Sequence, residues 1–553
     1  MFTYKPFTLN ELGGLNEDEN TSSIAQDQLR EAINCARKGK LTGTRPGLAF
    51  DSEYTAALSG TPYIQGLNEF RSGRDGTRRL VAVGGANVYY DSTNPALGKT
   101  TCTITSGQNN FWTFANYQNL MWAAGGLQGT DDIWTWDGNP ANNAIGRLRA
   151  LASRIYPKYV FSKFNTLFLG GMNGSNYYDN YLCARYCDYA TDATDAANWS
   201  TANVIPGQSL GDNPGVGSYG EEFNTGFGSY QDNRSDFLLF LTNKRIISFV
   251  ENPAVTTNAN RFVASDAIAN GCVDQRAFVD LGYDQGDAVY VSEDGIHSMA
   301  LSQQYGTREN TFLSWPIRKT WETINRSRLK YTTAAYWPTE GLVLFAFSTG
   351  SATSHNLILA MDIKGAKSIN PDEVRWYKWY LNGVYANCLR PARDADGLPT
   401  IYFGGTTGKV GKFTRTAYSD FSSAISVNFR TKDEDFGVPA TEKSIGNTFL
   451  MVSGSGNYSP THTYVLDDGS RVGRTTSLEV TLSGWTIGTG SSGGIIGTTT
   501  IGSGENLSRN RIRGVGSGFT VSHQFIHGGN NEPFYVGQIT QDVAAQGIAD
   551  EAA

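Results

Sequence analysis

Charged residues are scarce in this 553-residue chain, at 18% of the total, and 39% of the residues are hydrophobic. A long coiled coil needs charged heptads, so this composition excludes one. No apolar run approaches the roughly 20 residues that a membrane-spanning helix requires. The opening residues Met1-Phe2-Thr3-Tyr4-Lys5 do not combine a charged stretch with an apolar one. The sequence therefore predicts no secretory signal.

Cysteine and histidine are also few, with six and five residues respectively. Cys183 and Cys187 form a close pair, but no second pair follows that could complete a zinc site. His523 and His527 lie four residues apart in a segment that predicts a strand and a turn, so they do not share a helix face. We therefore expect buried free thiols from a reducing compartment, no metal and no cofactor.

Basic residues are not in excess, because 45 Lys and Arg stand against 52 Asp and Glu. The formal net charge is -7 at pH 7. A protein that holds nucleic acid tightly by its phosphates carries a basic excess. The balance excludes tight DNA wrapping and allows weak contact with DNA that passes by.

Glycine and aromatic residues are abundant, with 63 Gly and 12% aromatics, which predicts many short strands joined by glycine turns. Apolar segments that end in a glycine pair are followed by aromatic segments. The first three such pairs are spaced like the blades of a propeller, at roughly 40–50 residues. A fourth copy comes later in the chain. The pairs are Gly84-Gly85, Gly125-Gly126, Gly170-Gly171 and Gly404-Gly405.

We interpret the chain as an all-β protein with a β-propeller over residues 50–418. At about 45–52 residues per blade, the propeller has seven or eight blades; a sandwich ranks second. Residues 1–49 form an N-terminal arm with a short helix near 22–38, which Gly39 can end. The rest is a C-terminal β-sandwich-like module over 419–541 and a flexible tail over 542–553.

A segment rich in Gly, Ser and Thr, residues 484–504, predicts a long loop or hairpin tip in the C-terminal module. Four isoleucines in it have no obvious local core. They suit a channel gate or a partner contact, and a surface loop without a role is the alternative. These residues are Ile487, Ile495, Ile496 and Ile501.

Three alternating arginines, Arg509, Arg511 and Arg513, share one face if their segment is a strand. Such a face can meet DNA phosphates or the acidic residues of a neighbouring subunit. The third interpretation is a solvated face that binds nothing.

A cluster of carboxylates near an aromatic residue suits the cleavage of sugars, and Asp188, Asp192 and Asp195 lie close to Trp199. The segment that contains these aspartates predicts a solvated connection between blades, and the sequence identifies no second carboxylate that could act as the catalytic partner. No other catalytic pattern is complete, so we expect no enzyme activity.

Several segments occur in an order that is similar to one protein family. They are Gly13-Gly14-Leu15-Asn16, Gly43-Thr44-Arg45-Pro46-Gly47-Leu48, Tyr181-Leu182-Cys183-Ala184-Arg185-Tyr186-Cys187-Asp188, Gly271-Cys272-Val273-Asp274-Gln275-Arg276, Trp376-Tyr377-Lys378-Trp379 and Arg511-Ile512-Arg513-Gly514-Val515-Gly516-Ser517-Gly518. Together they resemble the tail nozzle proteins of short-tailed bacteriophages, also called tail tubular protein B. The tail hub and packaged-DNA stabilisation proteins are similar.

The resemblance implies a structural virion protein that forms a homohexamer in the phage tail and is assembled in the host cytoplasm. The ring lies below the tail adaptor protein and portal, and its channel retains the packaged genome. Double-stranded DNA passes through it at ejection without sequence specificity. Tail fibres or spikes dock on its outside. The family has no catalytic chemistry, and Arg45, Pro46 and Gly47 belong to its structural motif.

Two other classes remain alternatives. One is a glycan-binding or glycan-cleaving propeller that resembles a tailspike, which predicts two carboxylates about 5–9.5 Å apart in a cleft. The other is a propeller scaffold that is unrelated to virions.

Overall fold

The structure of the chain is a computed structural model. It describes residues 4–17, 24–72, 76, 78–90, 104–139, 146–147, 156–172, 183–188, 190–194, 198–199, 203–205, 222–231, 236–255, 261–282, 285–299, 311–366, 368–381, 383–480, 506–514 and 516–546.

These residues contain 41 β-strands and one α-helix, α1, at Arg318–Glu322. Short 3-10 helices cover Gln275–Ala277, Trp315–Ile317, Arg326–Tyr331 and Asp467–Gly469. The first strands are β1 Lys5–Leu9, β2 Leu29–Ile33, β3 Cys35–Lys38, β4 Leu41–Thr44 and β5 Gly47–Phe50. The next are β6 Ile64–Arg71, β7 Arg78–Gly84, β8 Asn87–Tyr89, β9 Trp112–Tyr117, β10 Leu120–Gly125, β11 Trp134–Trp136, β12 Gly146–Arg147, β13 Tyr159–Lys163, β14 Thr166–Gly170, β15 Ala184–Tyr186 and β16 Val204–Ile205.

The middle of the chain continues with β17 Asn224–Gln231, β18 Asp236–Thr242, β19 Arg245–Glu251, β20 Phe262–Ala269, β21 Phe278–Asp280, β22 Ala288–Val291, β23 Ile296–Ser298, β24 Thr311–Phe312, β25 Thr333–Trp337, β26 Leu342–Phe347, β27 Leu357–Asp362, β28 Arg375–Trp379, β29 Ala386–Arg393, β30 Pro399–Gly405 and β31 Val410–Thr414. The last strands are β32 Ser419–Asp420, β33 Ser423–Ala424, β34 Val427–Thr431, β35 Lys443–Gly454, β36 Thr461–Leu466, β37 Arg471–Ser477, β38 Asn506–Ile512, β39 Gly516–Gly518, β40 Val521–His527 and β41 Phe534–Ala545.

Strands β6 to β31 form a β-propeller, as the sequence predicts. The innermost strands β6, β9, β13, β17, β21, β25 and β29 pack side by side in this order, and β29 returns to β6. Six sheets of the ring have four strands each, and β6–β8 has three in the described residues. The described residues therefore contain six four-stranded blades and one three-stranded sheet, whereas the sequence predicts seven or eight blades. One blade starts at Tyr159 and the next starts at Asn224, so the spacing between some blades is longer than the glycine-pair spacing.

The glycine pairs mark the hairpins between the second and third strands of the first blades. The second glycine of each pair has a positive φ, at 60° for Gly85, 68° for Gly126 and 62° for Gly171. Residues with a side chain rarely adopt this conformation. The repeat that was visible in the sequence is therefore a repeat of turn geometry.

Strand β5 closes the propeller, because it pairs with β31 as the fourth strand of the last blade. The N-terminal part of the chain thus holds the C-terminal end of the ring in place. Strands β1 to β4, which precede β5, lie in the C-terminal module.

The C-terminal module is a β-sandwich. One sheet has the order β3-β4-β41-β35-β38, with β1 on β41 and β39 on β35. The other runs β2-β34-β40-β36-β37 and continues the propeller sheet β25–β28 through a parallel pairing of β2 with β28. Phe429 stacks on Phe525 in its own sheet and on Phe534 in the facing sheet. Burial of these rings holds the two sheets together.

The helix predicted near residues 22–38 is wrong for the described part of that segment. Leu29–Ile33 and Cys35–Lys38 are strands, and Asn34 between them has a φ of 53°. The register of β2 on β34 shifts between Leu29 and Glu31. The bulge and the turn break the alternation of apolar residues, so the pattern resembles a helical one while long-range pairing makes strands.

In the described part of the chain, no helix is long and apolar enough to cross a membrane.

Candidate structural junction and axial cavity

Arg45 forms a fully buried ion pair with Asp420, and both side chains have no exposed surface. The guanidinium makes two parallel bonds to the carboxylate, one from Nη1 to Oδ1 at 3.0 Å and one from Nη2 to Oδ2. Its other donors bond Asn34 Oδ1 at 3.2 Å, the carbonyl of Pro46 at 2.9 Å and that of Tyr380 at 3.3 Å. An arginine has five N–H donors, and all five have an acceptor here.

Gly47 lies where the chain passes from the sandwich into the propeller, and it has no room for a side chain. A Cβ atom there would lie 2.4 Å from the carbonyl oxygen of Ser419 and 2.7 Å from that of Ala417. The amide of Gly47 donates to the Ala417 carbonyl at 2.9 Å. The motif Arg45-Pro46-Gly47 therefore combines a buried charge with a close approach of two backbones.

The segment Trp376-Tyr377-Lys378-Trp379 meets the N-terminal motifs at the same place. Leu15 donates its amide to the Trp376 carbonyl at 2.8 Å, and the Trp379 indole donates to the Cys35 carbonyl at 2.7 Å. The Arg45 guanidinium lies 5.7 Å from the centre of the Trp379 ring. We call the group formed by residues 13–16, 34–35, 45–47, 376–380 and 420 the junction.

Asp274, in the segment Gly271–Arg276, is the centre of a second polar cluster at the amino ends of the innermost strands. Its carboxylate accepts from Arg276 Nε at 2.8 Å, from the Arg276 amide at 3.0 Å and from the Tyr159 hydroxyl at 3.2 Å. Lys158 Nζ lies 3.5 Å away. Burial acts to raise the pKa of Asp274, but the charges and hydrogen bonds of Arg276 and Lys158 outweigh it and the pKa is lowered.

A cavity of about 280 Å³ lies on the propeller axis and is lined by residues from all seven innermost strands. Arg276 is part of its lining, and its guanidinium lies 3.8 Å from the ring centre of Phe111. Phe111 in turn packs on Tyr331 at a ring distance of 5.9 Å.

Arg509 and Arg511 lie on the exposed face of β38, and their guanidinium carbons are 4.5 and 5.9 Å from the centre of the Phe449 ring. Asn510, between them, donates to the Glu479 carbonyl, and Ile512, which follows Arg511, is buried. Arg513 follows the strand and is exposed. The three cations thus lie on or next to one strand at the end of a sandwich sheet. The isoleucines of the Gly-rich segment 484–504 lie outside the described residues.

The carboxylates considered for sugar cleavage do not form a described pair. Asp192 is exposed and accepts from both the amide and the hydroxyl of Thr194, at 2.8 and 2.7 Å. These hydrogen bonds lower the pKa of Asp192, whereas a general acid needs a raised one. Asp188 accepts from Asn203, and Asp195 lies outside the described residues.

Five cysteines in the described part of the chain are buried free thiols, as predicted: Cys35, Cys183, Cys187, Cys272 and Cys388. Within the same residues, no three His, Cys, Asp or Glu side chains are close enough to hold a metal ion.

A histidine pair that sequence reasoning missed lies in the sandwich core. His462 Nε2 and His523 Nδ1 are 3.1 Å apart, and both side chains are buried. Burial lowers the pKa of His523 to about 4. Burial, and then the charge of His523, lower the pKa of His462 well below its usual range.

We expect this pair to make the sandwich sensitive to acid. Above pH 6.5 both histidines are neutral in the folded and the unfolded chain. As the pH falls from 6.5 to about 4, the unfolded chain binds protons first, so each histidine removes about 1.4 kcal/mol of stability per pH unit. Asp287 and Asp362 have the opposite effect on stability, because burial raises the pKa of each to about 6 and the folded chain then binds their protons first as the pH falls. The contribution of the histidines is therefore isolated by comparing wild type with a variant that lacks them.

The double variant His462→Gln, His523→Asn replaces both rings by amides that do not titrate. From pH 7 to pH 5, wild type is expected to lose at least about 1.4 kcal/mol more unfolding free energy than the variant. Urea unfolding at both pH values measures this. Equal losses in the two proteins would contradict the prediction.

No family model matches this chain, and no curated protein matches it. Similar solved structures include YCF48 bound to a D1 peptide, with a TM-score of 0.35 and 10% identity over 69% of this chain and 97% of that chain. The exo-beta-1,3-galactanase of Phanerochaete chrysosporium with galactose has a TM-score of 0.27 and 10% identity, covering 79% and 96%. The allergen Mala s 1 of Malassezia sympodialis has a TM-score of 0.33 and 8% identity, covering 56% and 93%. Similarities this low support no conclusion about activity or partners.

Proposed function

We propose that this chain is a structural subunit of the tail nozzle of a short-tailed bacteriophage, which forms a homohexameric ring around a DNA channel. One observation supports the proposal. Segments that carry the resemblance and lie far apart in the sequence, at 13–16, 45–47 and 376–379, lie together in the junction. Motif residues that share one place in the fold fit a common structural role.

The junction suits a subunit that must keep its shape in a ring. It links propeller and sandwich by a shared sheet, by a crossing of backbones at Gly47 and by a fully bonded ion pair. A ring of one chain type needs a heterologous interface that closes at a fixed angle. A rigid connection between the two parts of the subunit keeps that angle constant.

The arginine face of β38 is a candidate contact in this ring. Its cations can bind acidic residues of the neighbouring subunit, and DNA phosphates are the alternative. The overall charge of -7 favours a channel wall that repels phosphates and lets DNA slide. The tail adaptor protein, the fibres or spikes and the gate at Ile487, Ile495, Ile496 and Ile501 remain part of the proposal.

The expected result is a ring of six copies. Cryo-electron microscopy of virions, with this protein located by a gold-labelled tag, should show it as a six-fold ring on the tail axis. A single axial copy or peripheral trimers would exclude the nozzle. In the purified protein mixed with the adaptor, mass photometry should detect the hexamer.

A charge reversal tests the arginine face within the same assay. Arg509→Glu, Arg511→Glu and Arg513→Glu together should abolish the hexamer if the face meets acidic residues of a neighbour, because like charges would then face each other. The matched control is Arg393→Glu, an exposed arginine of the propeller. Hexamers that form with the triple variant would exclude this face as the subunit contact.

A further inference from the structure

The axial cavity has an apolar wall. Aromatic rings from different blades line it: Phe114, Phe161, Phe227, Phe278 and Tyr336. Two glycines of the lining, Gly66 and Gly228, let these rings pack closely, because a Cβ atom at either would lie 2.7 Å from a ring carbon. At about 280 Å³, the cavity is just below the usual size of small-molecule sites. It suits an occupant smaller than a typical drug.

Arg390 places a cation in this apolar lining. Its Nη2 donates to Asn68 Oδ1 at 3.0 Å, which is a neutral partner. In the described part of the chain it forms no ion pair within 4.0 Å, and the carboxylate whose charge acts on it is that of Glu69. The buried arginines Arg45 and Arg261, by contrast, are each paired with a carboxylate. Burial lowers the pKa of Arg390, and the charge of Glu69 acts against this effect from beyond direct contact. The partial removal of the guanidinium from water is costly.

Asp280 contributes a negative charge to the same lining, at its exposed part. Its carboxylate accepts from the Ser229 hydroxyl at 2.7 Å and from the Gly282 amide at 2.8 Å. A ligand with a second negative charge would be repelled there. The cavity therefore favours a single negative charge at Arg390 over a dianion such as phosphate.

We propose that the axial cavity binds a small monocarboxylate with an aromatic or aliphatic body. The carboxylate accepts two parallel hydrogen bonds from Arg390, which are charge-assisted and stronger than neutral ones. The apolar body of the ligand packs against the aromatic rings, so its surface is removed from water. This site is independent of the proposed role in a phage tail, since it depends only on the propeller.

Titration calorimetry with 3-phenylpropanoate tests the site, with 3-phenylpropanamide as the neutral analogue of the same shape. We expect the carboxylate to bind and the amide to bind at least tenfold more weakly, because it cannot form the charge-assisted pair. Arg390→Met should weaken carboxylate binding at least tenfold. Arg393→Met, three residues further along and exposed, should leave it unchanged. Arg390→Lys, which keeps the charge but loses the fork, should give an intermediate affinity.

Three outcomes of the carboxylate experiments would overturn the proposal. They are no binding of 3-phenylpropanoate at millimolar concentration, equal binding of acid and amide, and equal weakening by Arg390→Met and Arg393→Met. Tighter binding of inorganic phosphate than of the carboxylate would also overturn it. If Arg390→Met does not fold, the acid-to-amide ratio in wild type and the Arg390→Lys variant still decide the question.

Discussion

Replacing Arg45 with methionine is expected to lower the free energy of unfolding by about 3–5 kcal/mol, the usual cost of breaking a buried ion pair. Methionine leaves the Asp420 carboxylate buried without its cation, and both partners are fully buried in the native chain. It also removes the Arg45 donors to the carbonyls of Pro46 and Tyr380 and one of the two donors to Asn34 Oδ1. Urea unfolding measures the total loss of unfolding free energy. Hydrogen exchange of the backbone amides in β5 and β32 then shows whether the loss arises at the ion pair.

Two further variants separate the charge from the packing. The double variant Arg45→Met, Asp420→Leu removes both charges, so it should be more stable than Arg45→Met alone. Arg45→Lys keeps a cation but has three donors in place of five, so it should lie between wild type and Arg45→Met. Arg393→Met is the exposed control and should change stability by no more than about 0.5 kcal/mol. A loss below about 1 kcal/mol for Arg45→Met would contradict the role of the ion pair.

Replacing Asp274 with alanine is expected to cost about 3 kcal/mol of unfolding free energy, because Arg276 and Lys158 then share a half-buried site without a counter-charge. The Tyr159 hydroxyl also loses its acceptor. The effect should appear in the propeller, and hydrogen exchange should rise first in β13 and β21. These strands begin next to the cluster.

The matched control for Asp274→Ala is Asp280→Ala. Asp280 is an exposed carboxylate on the innermost strand β21, close to Asp274 in the sequence. Solvent screening and its few hydrogen bonds limit its expected cost to about 1 kcal/mol. Because the pKa of Asp274 is lowered in the folded chain, the stability that its carboxylate contributes is fully present above the unfolded pKa. This stability is lost as the pH falls through the folded pKa. Equal costs for the two alanine variants would contradict the argument.

The propeller was predictable because its signal is local. A blade hairpin needs a positive φ at its turn, and the chain supplies a glycine at Gly85, Gly126 and Gly171. Apolar runs such as Leu342–Phe347 are buried on both faces, so they read as strands without knowledge of their partners. The number of blades was not predictable in the same way, because connections of unequal length separate the blades.

The path of the N-terminal arm was not predictable, because it depends on strands several hundred residues away. Leu29, Ala32 and Ala36 have a helix-like spacing, but β2 pairs with β34 and β3 lies in the facing sheet. Local propensity is weak compared with the burial and pairing that the tertiary fold offers.

The sequence by itself determined the class of the protein: all-β, rich in glycine turns, with a propeller followed by a sandwich. These features follow from composition and from periods of two residues, which act between neighbours in the chain. Only the tertiary structure decided that Arg45 pairs with Asp420, 375 residues later. It likewise decided that Asp274 binds Arg276 and Lys158, and that Arg390 lies in an axial cavity. Charge pairing and cavity formation depend on which distant segments the topology brings together, and no local pattern encodes that choice.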